Sequence, residues 1–207
     1  MRNILIINEF ELFFRMRLLM FSILFIFIGQ TLFSQSTVKL NEYNVFLNGK
    51  ISPVMSLSTS SKLGEKWKFK TYFYASENWG EGLVGFSYKF TDWFELGYIG
   101  GFQVNGKSFL RGAPIFGVNV KHYSVQGFYE HGGDFMRGKI KAFYNFTHVR
   151  YGFEAVRSGD LYAIGPRSEV YLFKKFLKIW GSVLYAYNEK SPVDPIAGQL
   201  GFLFTFK

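Results

Sequence analysis

Residues 136–155 alternate between apolar and polar side chains over two consecutive stretches. In the first stretch Arg137, Lys139 and Lys141 occupy every second position, and the positions between them are apolar or small. Thr147-His148 predicts a tight reversal, after which the alternation resumes. Because successive side chains of a strand point to opposite faces, these residues predict a β-hairpin with one apolar and one basic face. Such a hairpin fits either a soluble sandwich or a barrel in lipid.

The same period of two recurs through most of the chain after residue 41. Aromatic residues make up 21% of the sequence, and aromatic residues favour strands. We therefore predict an all-β transmembrane antiparallel up-and-down β-barrel of about twelve strands, with ten as the alternative, because bacterial single-chain barrels have an even number. A short strand at 44–48 would be the twelfth. Besides the hairpin, the predicted strands span 51–58, 67–76, 83–90, 94–103, 113–121, 123–130, 161–173, 176–187 and 196–207.

The front of the chain carries one strongly apolar segment, at residues 18–33, directly after Met16 and Arg17. A short basic start, an apolar run and a small residue at Ser34 are typical of a secretory signal peptide. We predict that residues 1–34 are this signal peptide, that 1–15 are an over-long start, and that 35–207 form the outer-membrane barrel. The alternative is an uncleaved anchor helix, although the apolar run is short for the about 20 residues that spanning needs.

The sequence has no cysteine, which excludes disulfides and thiolate zinc sites. The formal net charge is +9, but the basic residues alternate within strands instead of clustering, so we do not expect nucleic acid as a partner. Zincin, phosphate-loop, nucleophile-elbow and dinucleotide-binding motifs are all missing from the sequence. We therefore expect no cofactor and no metal.

The connections between the predicted strands alternate in length. The turns at 91–93, 121–123, 147–148 and 174–175 are tight, whereas 78–82, 104–112, 131–134, 158–160 and 188–195 are mostly longer and richer in Gly or Pro. Transmembrane barrels have short turns at one end and longer loops at the other. Aromatic residues near turns predict girdles at the membrane interfaces, namely Trp67, Trp79, Trp93, Tyr123 and Tyr187.

Residues 41–207 resemble bacterial outer-membrane β-barrel proteins in their strand pattern. The aromatic-rich final strand is similar to the terminal strand that such barrels present to their assembly machinery, and Phe33-Ser34-Gln35 is similar to signal ends in Bacteroidota. The resemblance implies the outer membrane as the location, with its lipid and its assembly machinery as partners. Two departures are the final Lys207 and a proline, Pro166, within a strand, where we predict a bulge or strand end. The alternative fold is a soluble lipocalin-like barrel.

If the apolar faces meet lipid, the other parity lines the lumen. Further lysines, Lys68 and Lys70, share this parity with Glu95 and Glu130. Basic walls favour anions in pores, so we predict a small, weakly anion-preferring pore for small anionic solutes, with a plugged structural barrel as an alternative. The predicted lumen and anion-binding residues are Arg137, Lys139, Lys141, Arg150, Arg157 and Arg167, with Glu154 and Glu169 among them.

An enzyme is the less favoured alternative. His122-Tyr123-Ser124 resembles the His-x-Ser pair of outer-membrane lipid A deacylases. That resemblance implies Ser124 as nucleophile, His122 as base and a carboxylate that orients the histidine, for which Glu130 is the candidate.

Overall fold

The structure is a computed structural model that describes residues 36–77, 79–104, 108–133 and 136–206. The predicted signal peptide at 1–34 lies outside the described residues, as does Lys207. In the part that is described, no helix has the length and apolar character needed to cross a membrane.

Twelve strands account for almost all of the described chain. Strong alternation of side chains and β-favouring residues give each of them its extended form. The strands are β1 (Ser36–Leu47), β2 (Lys50–Lys62), β3 (Trp67–Ser76), β4 (Trp79–Lys89), β5 (Phe94–Val104), β6 (Ser108–Val120), β7 (Tyr123–Gly132), β8 (Arg137–Asn145), β9 (Val149–Ser158), β10 (Leu161–Leu172), β11 (Leu177–Asn188) and β12 (Ile196–Phe206), with a short 3-10 turn at Phe173–Lys175.

Each strand pairs with its neighbours in sequence, and the first and last strands close the barrel. The closing ladder is antiparallel and long, running from Val38 opposite Phe206 to Phe46 opposite Gly198. The prediction of a closed, twelve-stranded, up-and-down barrel is confirmed. The predicted short strand at 44–48 was wrong in extent, because β1 begins at Ser36 and pairs with β12 along most of its length.

The two side-chain parities face opposite sides of the barrel wall. Many large apolar residues are exposed on the outer parity, such as Ile140, Phe153 and Phe202. The inner parity contains the buried charged side chains, such as Arg167 and Glu169. An apolar exterior around a polar interior is the arrangement of a barrel in lipid and the reverse of a soluble barrel.

Aromatic residues collect at the barrel end that carries Ser36 and Phe206. Trp67 packs edge-on against Tyr88, and Tyr123 packs edge-on against Tyr144. Trp67, Trp93 and Tyr123 are exposed there, and Tyr187 is exposed near the opposite end. Trp79 differs from the prediction, because its ring lies on the inward parity next to Tyr74, with 4.4 Å between ring centroids.

The predicted bulge or strand end at Pro166 was wrong. β10 continues through this residue, which keeps its position opposite Phe153 of β9. On the β11 side, the pairing passes from Ile164 to Arg167 without a change of register. A strand residue directs its N–H toward one neighbour only, so a proline interrupts the ladder on one side and leaves the other intact.

The connections at both ends of the barrel are short. The strands extend into the predicted loops 78–82 and 104–112, so those two expectations were wrong. The longest connection is 189–195, between β11 and β12. A strand predicted from alternating apolar and polar residues comes out too short where glycine or a charged residue occupies an apolar position of that alternation.

Candidate functional site

The lumen is the candidate functional site, because the inward parity collects most of the charged side chains of the strands. Basic residues exceed acidic ones on this wall. The basic side chains include Lys39, Lys62, Lys68, Lys70, Lys89, Arg111, Arg137, Lys139, Lys141, Arg150, Arg167 and Lys178, and the acidic ones are Glu81, Glu95, Glu130, Glu154 and Glu169.

A buried ion-pair group centred on Arg167 fills one side of the lumen, and we call it the Arg167 network. The Arg167 guanidinium donates to Glu154 at 2.7 Å and to Glu169 at 2.9 Å. Lys178 donates to the same Glu169 carboxylate at 2.9 Å. The guanidinium also lies 3.7 Å from the centre of the Trp180 ring. Ion pairing and the contact with the aromatic face explain how these four charged side chains can be buried.

The other predicted basic residues of this wall lie around the Arg167 network. Lys139 lies 3.4 Å from Glu154, and Arg150 lies 3.9 Å from Glu169. Lys141 occupies the inward position opposite Glu154 in the β8–β9 ladder. The structure therefore brings together seven of the eight predicted lumen residues on the inward parity. Their role in binding anions stays a prediction.

Arg157 is the exception, and its predicted inward placement was wrong. Arg150 and Arg157 are separated by an odd number of positions on one strand, so they face opposite sides of the wall. Arg157 shares the outer parity with Phe153 and lies opposite Gly138 of β8. Its guanidinium stacks over the Tyr162 ring at 5.0 Å, near the barrel end opposite the termini.

A second buried group lies at that same end, and we call it the Arg137 cluster. Arg137 contacts Glu81 and Glu130 at 2.6 Å each, and Arg111 lies 3.3 Å from Glu130. These side chains come from β4, β6, β7 and β8, so the cluster reaches across the lumen. The alternation in β8 predicts Arg137 on this wall, but no pattern in the sequence identifies Glu81 and Arg111 as its companions.

Aromatic rings complete the surroundings of Arg137. Its guanidinium carbon lies 4.3 Å from the centre of the Tyr74 ring and 4.4 Å from that of Trp79. Both rings project inward from the β3–β4 hairpin. Cation–π contacts of this kind fix a guanidinium in place, so the Arg137 cluster is a rigid obstruction near one mouth of the barrel.

An apolar group narrows the same mouth beside the Arg137 cluster. Ala163, Leu184, Ala186 and Ala197 are buried together, and Val193 of the 189–195 connection packs against them. Asn48 accepts a hydrogen bond from the backbone N–H of Asp194 at 2.8 Å, which ties this connection to the β1–β2 turn. These side chains therefore narrow the mouth away from the termini.

Open space remains in the lumen against β1, β2 and β3. A cavity of about 350 Å³ lies there, lined by basic and hydroxyl side chains together with the apolar Ile99 and Ile115, and we call it the lysine cavity. Lys68 and Lys70 both pair with Glu95, the latter at 2.9 Å. Lys39 belongs to the same lining, and it takes part in no ion pair or side-chain hydrogen bond among the described residues. The remaining lining includes Thr37, Ser58, Ser60, Tyr72, Phe128 and Glu130.

Lys39 was missed by sequence analysis, because the predicted first strand began too late. Its alternation with Leu40 was a usable signal, since Lys39, Asn41 and Tyr43 share one parity. The structure keeps this parity, with Lys39 opposite Thr205 of β12.

The proposed hydrolase residues are not brought together. Ser124 donates to the Asn145 side chain at 3.2 Å, and the His122 ring stacks on Tyr144 with 5.7 Å between centroids. Glu130 lies six positions from Ser124 on β7, which is about 20 Å along a strand, and it pairs with Arg137. A nucleophile, base and orienting carboxylate must be in mutual hydrogen-bond reach, so this arrangement does not support a hydrolase. No group of metal ligands occurs among the described residues.

Comparisons with known proteins agree on the architecture. No family model matches the chain, and no curated protein matches it. A solved structure of the KdgM porin in complex with disordered oligogalacturonate is similar over 82% of this chain and 99% of that one, with a TM-score of 0.60 and 13% identity. The NanC porin is similar over 80% of this chain and 98% of that one, with a TM-score of 0.56 and 10% identity. The chain therefore shares the closed β-barrel fold of these porins.

Proposed function

We propose that this chain is a narrow outer-membrane channel that admits small anionic solutes through the lysine cavity. The observation that carries the proposal is the charge of that cavity. Glu95 is shared by Lys68 and Lys70, and Lys39 adds a positive charge without a paired carboxylate among the described residues. A basic lining in a pore attracts anions and repels cations.

The lining also suits a hydroxylated solute. Ser58 and Ser60 present hydroxyl groups on the same wall as the lysines, and Tyr72 and Phe128 supply aromatic surface. Hydroxyl groups can donate or accept hydrogen bonds, and lysine ammonium groups bind carboxylates. KdgM is a neighbour in fold and was solved with a polyanionic sugar. We extend this solute chemistry to the present chain as part of the proposal.

The remaining predictions about processing and partners belong to the same proposal. Residues 1–34 would direct export and be removed, and the aromatic-rich β12 would engage the assembly machinery of the outer membrane. Arg137, Lys139, Lys141, Arg150 and Arg167 would set the background potential of the lumen, while the lysine cavity would contact the solute.

Solute efflux from proteoliposomes tests this function. We expect labelled glucuronate to exchange with external chloride several times faster than labelled glucose leaves, because the two differ mainly in one negative charge. Empty liposomes give the leak rate. Equal rates for the two sugars would contradict an anion-selective channel.

A plugged structural barrel is the second candidate function. The Arg137 cluster and the Arg167 network favour it, because both fill the lumen with paired side chains. If a barrel that is folded and inserted releases neither sugar faster than empty liposomes do, the plugged barrel is the better description.

A further inference from the structure

The outer face of β1 interrupts the apolar exterior of the barrel. Glu42 and Asn44 are exposed on the outward parity, which they share with Leu40 and Phe46. Glu42 lies near the middle of β1. In the described strands it is the one acidic side chain on the outward parity, since the other strand carboxylates belong to the lumen.

The neighbours of these two side chains are apolar. Glu42 lies opposite Phe202 in the β1–β12 ladder, and Asn44 lies opposite Leu200. Neither side chain makes a hydrogen bond or ion pair among the described residues. Some other outward polar groups do find partners, since Thr59 and Thr71 bond at 2.8 Å, and the Tyr98 hydroxyl lies 2.9 Å from His131.

An unpaired carboxyl group in the hydrocarbon region is unfavourable, and ionisable residues at such positions mark functional contacts. Polar side chains on lipid-facing surfaces can hold membrane segments together through hydrogen bonds that lipid cannot offer. Glu42 and Asn44 therefore indicate a contact with another protein surface. That surface must supply a hydrogen-bond donor and an acceptor at the same depth in the membrane.

A second copy of this chain supplies both groups. A two-fold axis parallel to the barrel axis keeps each residue at its own depth and brings the same patch of both copies together. The Asn44 amide of one copy can then donate to the Glu42 carboxyl of the other, and the reverse pair forms by symmetry. The two residues lie about 7 Å apart along the strand, which the long glutamate side chain can span.

We propose that the barrel forms a two-fold dimer in the membrane through the outer face of β1, with Glu42 and Asn44 hydrogen-bonded reciprocally across the interface. Apolar side chains on either side, including Leu40, Phe46 and Phe202, pack around this polar centre. The dimer does not depend on which solute crosses the lumen.

Thiol crosslinking in membranes tests the dimer cleanly, because the chain has no cysteine of its own. Leu40→Cys leaves the polar pair intact, and we expect a short bis-maleimide to join most of this variant into a species of twice the mass. Ile140→Cys is the matched control. It is also outward and apolar but lies on β8, across the barrel, and we expect it to stay monomeric.

Substitutions of Glu42 separate the polar contact from general packing. We expect Leu40→Cys with Glu42→Leu to lose most of its crosslinked dimer, and Leu40→Cys with Glu42→Gln to keep it, because glutamine retains hydrogen-bonding capacity. Heat-modifiable gel mobility confirms that each barrel is folded. Equal crosslinking of the Leu40→Cys and Ile140→Cys variants, an unchanged dimer with Glu42→Leu, or a crosslinked species with a different protein would each overturn the proposal.

Discussion

Replacing Lys39 by glutamate is expected to reverse the ion preference of the channel. The substitution changes the charge of the lysine cavity by two units without removing a carboxylate's partner, because Lys39 forms no ion pair among the described residues. One unit charge at 4 Å contributes about 1 kcal/mol in water, so the two-unit change disfavours an anion there by about 2 kcal/mol and favours a cation by as much, which lowers the anion-to-cation permeability ratio by more than roughly thirtyfold. Reversal potentials in a salt gradient measure this ratio directly.

Lys174→Glu is the control for this prediction. It makes the same change in net charge, but Lys174 lies in the exposed turn between β10 and β11, outside the lumen. We expect its permeability ratio to remain close to that of the wild type, because salt screens exposed charges over about 10 Å. If Lys39→Glu and Lys174→Glu had the same permeability ratio, the lysine cavity would not be the path of the ions.

Removing the guanidinium of Arg167 is expected to destabilise the barrel strongly. Arg167→Ala removes the cationic partner that lies 2.7 Å from Glu154. It also removes one of the cations that neutralise the negative charge of Glu169. Both carboxylates are completely buried. Breaking a buried ion pair by deleting one partner costs about 3–5 kcal/mol, because an uncompensated charge remains. Urea unfolding of the barrel, monitored by heat-modifiable gel mobility, measures the loss in free energy of unfolding.

Arg157→Ala is the matched control, since it removes the same side chain from the outer parity of a neighbouring strand. We expect the free energy of unfolding of this variant to fall by less than about 1 kcal/mol, because a partly exposed arginine contributes little to stability. The double variant Arg167→Met with Glu154→Gln should regain part of the loss, since it removes the unpaired charge and retains volume. A cost for Arg167→Ala no larger than that for Arg157→Ala would show that the Arg167 network does not stabilise the fold.

The sequence contained enough information to predict the barrel and the direction of most side chains. Strict alternation determined the inward parity of β8, so that Arg137, Lys139 and Lys141 could be assigned to one wall. The same rule, applied to the spacing between Arg150 and Arg157, would have put Arg157 on the outer face. That error lay in the use of the pattern and not in the pattern itself.

The contacts of the lumen could not be predicted, because they depend on how the sheet closes. Glu81 and Arg137 are far apart in the chain, and only the closed barrel brings them together at 2.6 Å. The role of Trp79 was missed for the same reason. A tryptophan at a strand end is typical of a membrane girdle, and the inward direction of this one follows from the register of the β3–β4 hairpin.

The position of the open space also depends on tertiary structure. The predicted anion wall on β8, β9 and β10 is largely neutralised by its own carboxylates, and the cavity lies against β1, β2 and β3 instead. Alternation identified which residues face inward, but side-chain packing decides which of them still have room beside them.

The reversal potential of the wild-type chain tests the central claim most directly. Residues 35–207, refolded and inserted in a planar bilayer between two concentrations of potassium chloride, should give steady conductance and a reversal potential of the sign that chloride preference produces. The opposite sign, or no conductance from protein shown to be folded and inserted, would contradict an anion-preferring channel.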